Sequence, residues 1–225
     1  MVKAVLCDID GTLVDSNWLH AEAWQRAFAE MGIELDRETV RKQIGKGGDE
    51  LIPVFVPWWK REAVEEPLKR YREFVFRTEF LGRVKALPEV REFAEELKRR
   101  GIKVALASSS KKKDLEDYKR IMRVEDLVDE ATSADDVERA KPHPDIFSAA
   151  LKRLGLKAKE CIALGDTPYD AEAAGKAGLR TIGVETGGWT HEELMEAGCV
   201  DVYRSVAELL GRIEESAIVR EGLRG

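Results

Sequence analysis

The chain has 225 residues, 44% of them hydrophobic and 36% charged, with a formal net charge of −6. That length and apolar content suffice for a real core and suit one domain with an insert, or one large and one small domain. An acidic balance with both signs interspersed argues against nucleic acid or a membrane surface as partner, and the short basic runs Arg99-Arg100 and Lys111-Lys112-Lys113 read as solvated faces.

Met1-Val2-Lys3-Ala4 opens directly into a strand pattern, so no targeting segment is expected ahead of the fold. Ala4-Val5-Leu6-Cys7 reads as a buried strand ending at Asp8. From about Ser16 to Leu81 the pattern is helical only. Trp24, Ala27, Phe28 and Met31 mark one helix face, with Gly32 as its stop. Arg61 to Phe80 is a second helical stretch that Pro67 is expected to break early. Phe55, Trp58, Trp59, Tyr71, Phe74 and Phe80 are expected in the core of this block. Gly45-Lys46-Gly47-Gly48 is either a loop facing a substrate or a turn between helices; it lacks the ending of a phosphate-binding P-loop. Beyond Gly82, Pro88 starts a helix whose inward face is Val90, Phe93, Ala94 and Leu97, closed by Gly101. Ile102 to Ala107 is a strand ending at Ser108. Lys141 falls in a stretch expected to be extended between Ala140 and the prolines Pro142 and Pro144. Pro144 opens a helix with Ile146, Phe147, Ala150, Leu151 and Leu154 inward. Cys161 to Leu164 is a strand ending at Gly165-Asp166, and Ala171 to Lys176 a short helix. Thr181 to Val184 is a strand, Gly187-Gly188-Trp189 a loop before a helix at Glu192, and Val200 to Tyr203 the last strand. Ser205 caps a final helix.

Continuous apolar strands alternating with helices predict an α/β fold, a doubly wound Rossmann-like parallel sheet with right-handed crossovers. The helical block reads as an inserted cap: residues 1–15 and 82–225 form the core and 16–81 the cap, with hinges near Ser16 and Gly82. Cys7, Cys161 and Cys199 include no C-x-x-C pair, which points to a reducing, cytoplasmic setting, and no apolar stretch reaches the ~20 residues that span a bilayer. His20, His143 and His191 share no metal-ligand spacing. The sequence leaves monomer and homodimer both open.

In doubly wound sheets ligands bind beyond the carboxyl ends of the strands. The polar residues expected there are Asp8 and Asp10, Gly11 and Thr12, Ser108, Lys141, and Asp166 and Asp170. Clustered carboxylates repel one another and call for a cation, and an all-oxygen donor set suits Mg²⁺. Of Asp8 and Asp10, one can attack phosphorus and the other can move protons. Gly11 frees backbone N–H groups to face a phosphate, Ser108 can hold a phosphoryl oxygen, with Ser109 or Ser110 able to share that role, and Lys141 can neutralise developing charge. Thr12 and Asp15 fit either capping or support. Lys46 is expected to meet the non-reacting end of the substrate.

Asp8-Ile9-Asp10-Gly11-Thr12-Leu13-Val14-Asp15-Ser16 resembles the first motif of the haloacid dehalogenase-like hydrolase superfamily. Ser108, Lys141 in Lys-Pro-His-Pro-Asp, and Asp166 with Asp170 in Gly-Asp-x-x-x-Asp resemble the second, third and fourth, in order along nearly the whole chain. The resemblance implies that Asp8 is nucleophile and metal ligand and that Asp10 is general acid and base, with its backbone carbonyl on the metal. It implies that Asp166 is a direct ligand, that Asp170 supports the metal shell, and that Ser108 and Lys141 bind the phosphoryl group. The candidate metal set is thus Asp8, Asp10, Asp166 and Asp170. The candidate phosphate or substrate contacts are Gly11, Thr12, Ser108, Ser109, Lys141 and Lys46. The expected activity is Mg²⁺-dependent hydrolysis of a small phosphomonoester, of the phosphoglycolate phosphatase type. A β-phosphoglucomutase-like mutase is the alternative, disfavoured because such mutases carry a Glu-Asp pair where this chain has Gly165-Asp166. A catalytically silent binding protein would have no use for so many converging charges.

Overall fold

The computed structural model describes residues 1–220. Strand β1 (Ala4–Cys7) leads through the two-residue β2 (Val14–Asp15) into helices α1 (Asn17–Glu30), α2 (Arg37–Arg41), α3 (Gly48–Phe55) and α4 (Trp58–Val75). A π-helical turn (Phe76–Phe80) follows, and β3 (Lys85–Ala86) returns to pair antiparallel with β2. The chain then alternates: α5 (Val90–Arg99), β4 (Lys103–Ala107), α6 (Lys112–Met122), β5 (Glu130–Thr132), α7 (Asp145–Leu154), β6 (Cys161–Gly165), α8 (Pro168–Lys176), β7 (Arg180–Val184), α9 (His191–Glu196), β8 (Cys199–Tyr203) and α10 (Val206–Gly211).

The main sheet has six strands in the order β5-β4-β1-β6-β7-β8, and every pair in it is parallel. Side chains alternate across it. Val5 and Cys7 join Phe93, Leu97, Leu115 and Leu209 on one face, while Ala4 and Leu6 join Ile146, Phe147, Ala150 and Ala173 on the other. Helices α1 to α4 bury a cluster of their own, with Trp24, Phe28, Val40, Leu51, Ile52 and Leu68 at its centre. Among the described residues no helix is long and apolar enough to cross a membrane.

Topology decides where the site falls. The chain moves from β1 outward to β4 and β5, then returns to the other side of β1 to start β6. The strand order therefore reverses beside β1, the place where such sheets open a crevice. Cys7 is level with Leu106 on one side and Leu164 on the other, so the residues just past the ends of all three strands emerge at one edge.

Three expectations need correction. Pro67 does not break α4, which runs through it. The carbonyl that loses its donor belongs to Ala63, on an exposed face, and buried Leu68 anchors the next turn. Of the aromatics expected in the helical core, Phe80 is buried, but Trp58, Trp59 and Phe74 are 75, 65 and 62% exposed. Leu68 and Val75, seven residues apart, mark the inward face of α4; Trp59, Ala63, Glu66, Arg70 and Phe74 recur at helical spacing on the opposite one. Lys141 does not lie in an extended stretch: the Lys141–Pro142 peptide bond is cis, within a turn that runs to Pro144.

Candidate active site

Asp8 leaves β1, Asp166 leaves β6, and Asp170 lies in the first turn of α8. One carboxylate oxygen from each lies within 4.8 Å of the others, and all three residues are buried. Close backbone approach makes this possible. Gly11 (φ +80°) turns the chain where a Cβ would come 2.3 Å from Asp166 Oδ2. A Cβ at Gly187 would come 1.8 Å from the same oxygen, and one at Gly165 would come 2.4 Å from the Asp170 Cβ. Thr12 Oγ1 donates to Asp166 Oδ1 at 2.8 Å and lies 3.3 Å from Asp8 Oδ2; Asn17 Nδ2 donates to Asp166 Oδ2 at 2.9 Å. The Thr12 side chain is thus committed to the carboxylates. Asp170 has two tasks. Its Oδ2 accepts from Thr167 Oγ1 (2.6 Å) and Thr167 N (3.1 Å) in a capping box, and its Oδ1 faces the cluster.

The fully buried Lys141 supplies the balancing charge. Its Nζ lies 2.5 Å from Asp8 Oδ1, 2.8 Å from Asp170 Oδ1 and 3.0 Å from the Ala107 carbonyl. Burial pushes Asp8 up to about 7, with Lys141 opposing and the Asp170 and Asp10 charges reinforcing the rise. Burial, then Asp170 and Asp8, hold Asp166 well above the usual carboxylate range. Burial alone would lower Lys141, but Asp170 and Asp8 outweigh it and keep the ammonium charged. One lysine among three buried carboxylates leaves a deficit of positive charge. The Asp170 Oδ1 contact with Lys141 lacks hydrogen-bond geometry, and Asn17 Oδ1 is buried with no partner. Hard oxygen donors with unmet capacity, beside an open cleft, fit a small divalent cation such as Mg²⁺.

The Asp10 side chain points away from that cluster. Its Oδ1 accepts from Ser16 Oγ at 2.6 Å and faces His20 Nε2 at 2.8 Å, and its Oδ2 accepts from Ser110 Oγ at 2.9 Å. Burial works against its charge, but the hydrogen bonds donated by His20 and Ser16 favour the ionised form and hold the carboxyl below the usual carboxylate range. On the other side of the ring, Arg72 Nη2 lies 2.6 Å from His20 Nδ1. A guanidinium only donates, so Nδ1 accepts and the imidazole proton sits on Nε2, toward Asp10. His20 is therefore neutral, in keeping with a value that burial pushes down.

A cleft of about 500 Å³ opens above Lys141, lined in part by Ser108, Ser109, Ser110, Lys46, Arg72 and Trp24. Ser108 Oγ accepts from Ser110 N at 3.0 Å, and Ser109 Oγ donates to the Gly45 carbonyl at 3.3 Å. The loop Gly45–Gly48 connects α2 to α3, and Lys46, Gly47 and Gly48 line the cleft. Lys46 Nζ donates to Gln43 Oε1 at 2.7 Å and sits 4.6 Å from the Tyr169 ring centroid. Asp15 pairs within the β2–β3 ribbon, outside the site. Sequence reasoning missed Asn17, His20 and Arg72. Ser16 and His20 are four residues apart, one turn at the start of α1, so they meet Asp10 together; that spacing was the available signal.

The profile of haloacid dehalogenase-like hydrolases matches residues 5–184. Protein CbbY of Cereibacter sphaeroides is 33% identical, over 94% of this chain and 95% of its own. A phosphorylated carbohydrates phosphatase of Thermotoga maritima is 30% identical, over 95% of this chain and 99% of its own. A hydrolase from Pseudomonas syringae superposes with a TM-score of 0.87 at 27% identity, over 96% of this chain and 99% of its own. The match runs through β1, β4, β6 and β7 and every residue of the acidic cluster, and the chain belongs to the haloacid dehalogenase-like hydrolase family.

Proposed function

We propose that this phosphoric monoester hydrolase acts on a small-molecule phosphate ester through an aspartyl-phosphate on Asp8, with Mg²⁺ held by Asp8, Asp166, Asp170 and the backbone carbonyl of Asp10. The observation that carries the reading is the buried cluster of Asp8, Asp166 and Asp170 paired with Lys141, which lines the cleft. When bound, the cation supplies positive charge at the phosphoryl oxygens and keeps Asp8 ionised. The chain's own residues do the rest. A carboxylate oxygen of Asp8 attacks phosphorus, the P–O bond to the leaving group breaks, and the leaving oxygen takes a proton from Asp10. Water then attacks the acyl phosphate as Asp10 takes a proton from it, releasing phosphate and restoring Asp8. The two steps need Asp10 in opposite protonation states, and the arrangement around Ser16, Ser110 and His20 is that of the base. Lys141 stays charged throughout and stabilises negative charge on the transferring group.

A mutase is the second reading. The acidic residue expected of it next to Asp166 is replaced by Gly165, where any side chain would collide with Asp170; this favours hydrolysis. The likeness to a phosphatase of phosphorylated carbohydrates supports a sugar phosphate or a similarly small ester as substrate. Turnover of p-nitrophenyl phosphate by enzyme stripped with EDTA, with and without added Mg²⁺, tests the metal. Activity is expected to vanish on stripping and return with Mg²⁺, and full activity in EDTA would contradict the reading. A panel of phosphorylated metabolites ranked by kcat/KM then identifies the substrate.

A further inference from the structure

Arg41, the last residue of α2, is buried, with its side chain 6% exposed. Its Nε and Nη2 form a fork on Glu38 at 2.9 and 2.6 Å. The remaining arm, Nη1, crosses to the sheet domain and donates to the Gly187 carbonyl at 2.7 Å. Gly187 lies in the loop after β7, and that loop is the wall against which Asp166 rests: a Cβ at 187 would come 1.8 Å from Asp166 Oδ2. The same loop is gripped twice more. Asn17 Nδ2, which holds Asp166 Oδ2, lies 3.5 Å from the Gly187 carbonyl, and Thr186 Oγ1 donates to the Gly11 carbonyl at 2.5 Å. Gly188, at φ +83°, leaves room for the guanidinium, since a Cβ there would come 2.8 Å from Arg41 Nη1.

We infer that Arg41 is a positioning residue for the metal site: acting through Gly187 it fixes the place of Asp166, so that the seating of α2 on the sheet and cation binding at Asp166 belong to one equilibrium. The inference rests on the proposed role of Asp166 as a magnesium ligand. A hydrogen bond from a buried guanidinium to a carbonyl is charge-assisted and directional. Without it the carbonyl and its loop lose their support on the side of α2, and the wall behind Asp166 can shift. Groups that hold ligands in place are commonly worth about 10–100-fold in metal affinity. Linkage makes the effect mutual: if Arg41 helps Mg²⁺ bind, Mg²⁺ must help α2 stay seated.

The test uses the full metal-free chain and Mg²⁺ alone, with affinity read by calorimetry and seating by hydrogen exchange of residues 37–47 and 185–188. Arg41→Gln is expected to weaken Mg²⁺ by about 10–100-fold. Arg41→Lys, which keeps a donor that can reach the carbonyl, should recover part of that loss. Glu38→Gln, at a half-buried position, should loosen the fork and weaken Mg²⁺ in the same direction by less. In the natural chain Mg²⁺ should slow exchange over both segments, and in Arg41→Gln only over 185–188. Asp166→Asn separates the two ideas: if it binds Mg²⁺ as the natural chain does, the metal assignment fails. If Asp166→Asn loses Mg²⁺ while Arg41→Gln and Glu38→Gln both keep natural affinity, or if Mg²⁺ leaves exchange at 37–47 unchanged, the role of Arg41 is overturned.

Discussion

Replacing Lys141 by methionine keeps most of the side-chain volume and deletes one buried charge. In the native arrangement that charge lies 2.5 Å from Asp8 Oδ1 and 2.8 Å from Asp170 Oδ1, with no exposure to solvent. Removing one partner of a buried ion pair costs about 3–5 kcal/mol, because the other partner stays buried without compensation. For a chain of this size each kcal/mol moves Tm by about 2–4 °C, so the metal-free variant should melt about 6–20 °C below the natural protein. The deficit has a pH signature. Without Lys141 the Asp8 carboxyl rises further above its unfolded value, so the folded variant binds a proton that the unfolded chain has already released. Stability then falls as pH rises through that window, and the deficit is small near pH 5 and large near pH 8. Thermal unfolding in EDTA at those two pH values, followed by circular dichroism on both proteins, measures it. Equal deficits at both pH values, or a variant as stable as the natural chain at pH 8, would refute the view that Lys141 balances the cluster. Turnover with saturating Mg²⁺ should also fall by about 10²–10³, the usual loss for one preorganised charge at a transition state.

The metal-free natural enzyme should show a milder form of the same trend: burial raises Asp8 to about 7, so Tm should decline between pH 5 and pH 8. Mg²⁺ should reverse this, with a gain that grows with pH, and a gain that shrinks with pH would contradict the ligand assignment. Asp10→Asn should slow turnover by roughly 10²–10⁴-fold for substrates with poor leaving groups. Phosphoenzyme formation from p-nitrophenyl phosphate should suffer less, and equal losses in that step would make Asp10 structural. Lys46→Ala should raise KM for an acidic or sugar phosphate and leave p-nitrophenyl phosphate turnover nearly unchanged, since Lys46 lines the cleft and makes no ion pair among the described residues. If neither substrate responds, Lys46 serves only its contacts with Gln43 and Tyr169.

The catalytic edge of the sheet was legible because parallel strands announce themselves. Ala4 to Cys7 is a continuous apolar run, and the first polar residue after such a run must lie at the strand end, where topology puts ligands. Ser108 and Asp166 follow by the same logic. Short elements were not legible: β2 and β3 have two residues each and β5 has three, too few to show a period. Helix α6 was obscured by Lys111-Lys112-Lys113, although Leu115, Tyr118 and Met122 carry a helical spacing. What lay out of reach was the orientation of the helical segment over the sheet. Asn17, His20, Arg41 and Arg72 are all on its helices, and only their placement above Asp10 and Asp166 makes them part of the site. The same blindness put Trp58 and Trp59 in the core, since an aromatic pair does not declare which side of α4 it faces.

Nucleophilic attack by Asp8 is tested most directly by trapping the covalent intermediate. Enzyme mixed with a radiolabelled phosphate ester and Mg²⁺, quenched in acid within the first turnover and digested, should carry label on the peptide that contains Asp8. Asp8→Asn, treated identically, should carry none and should turn over no substrate. Label on a different peptide, or sustained turnover by Asp8→Asn, would contradict the assignment of Asp8 as the nucleophile.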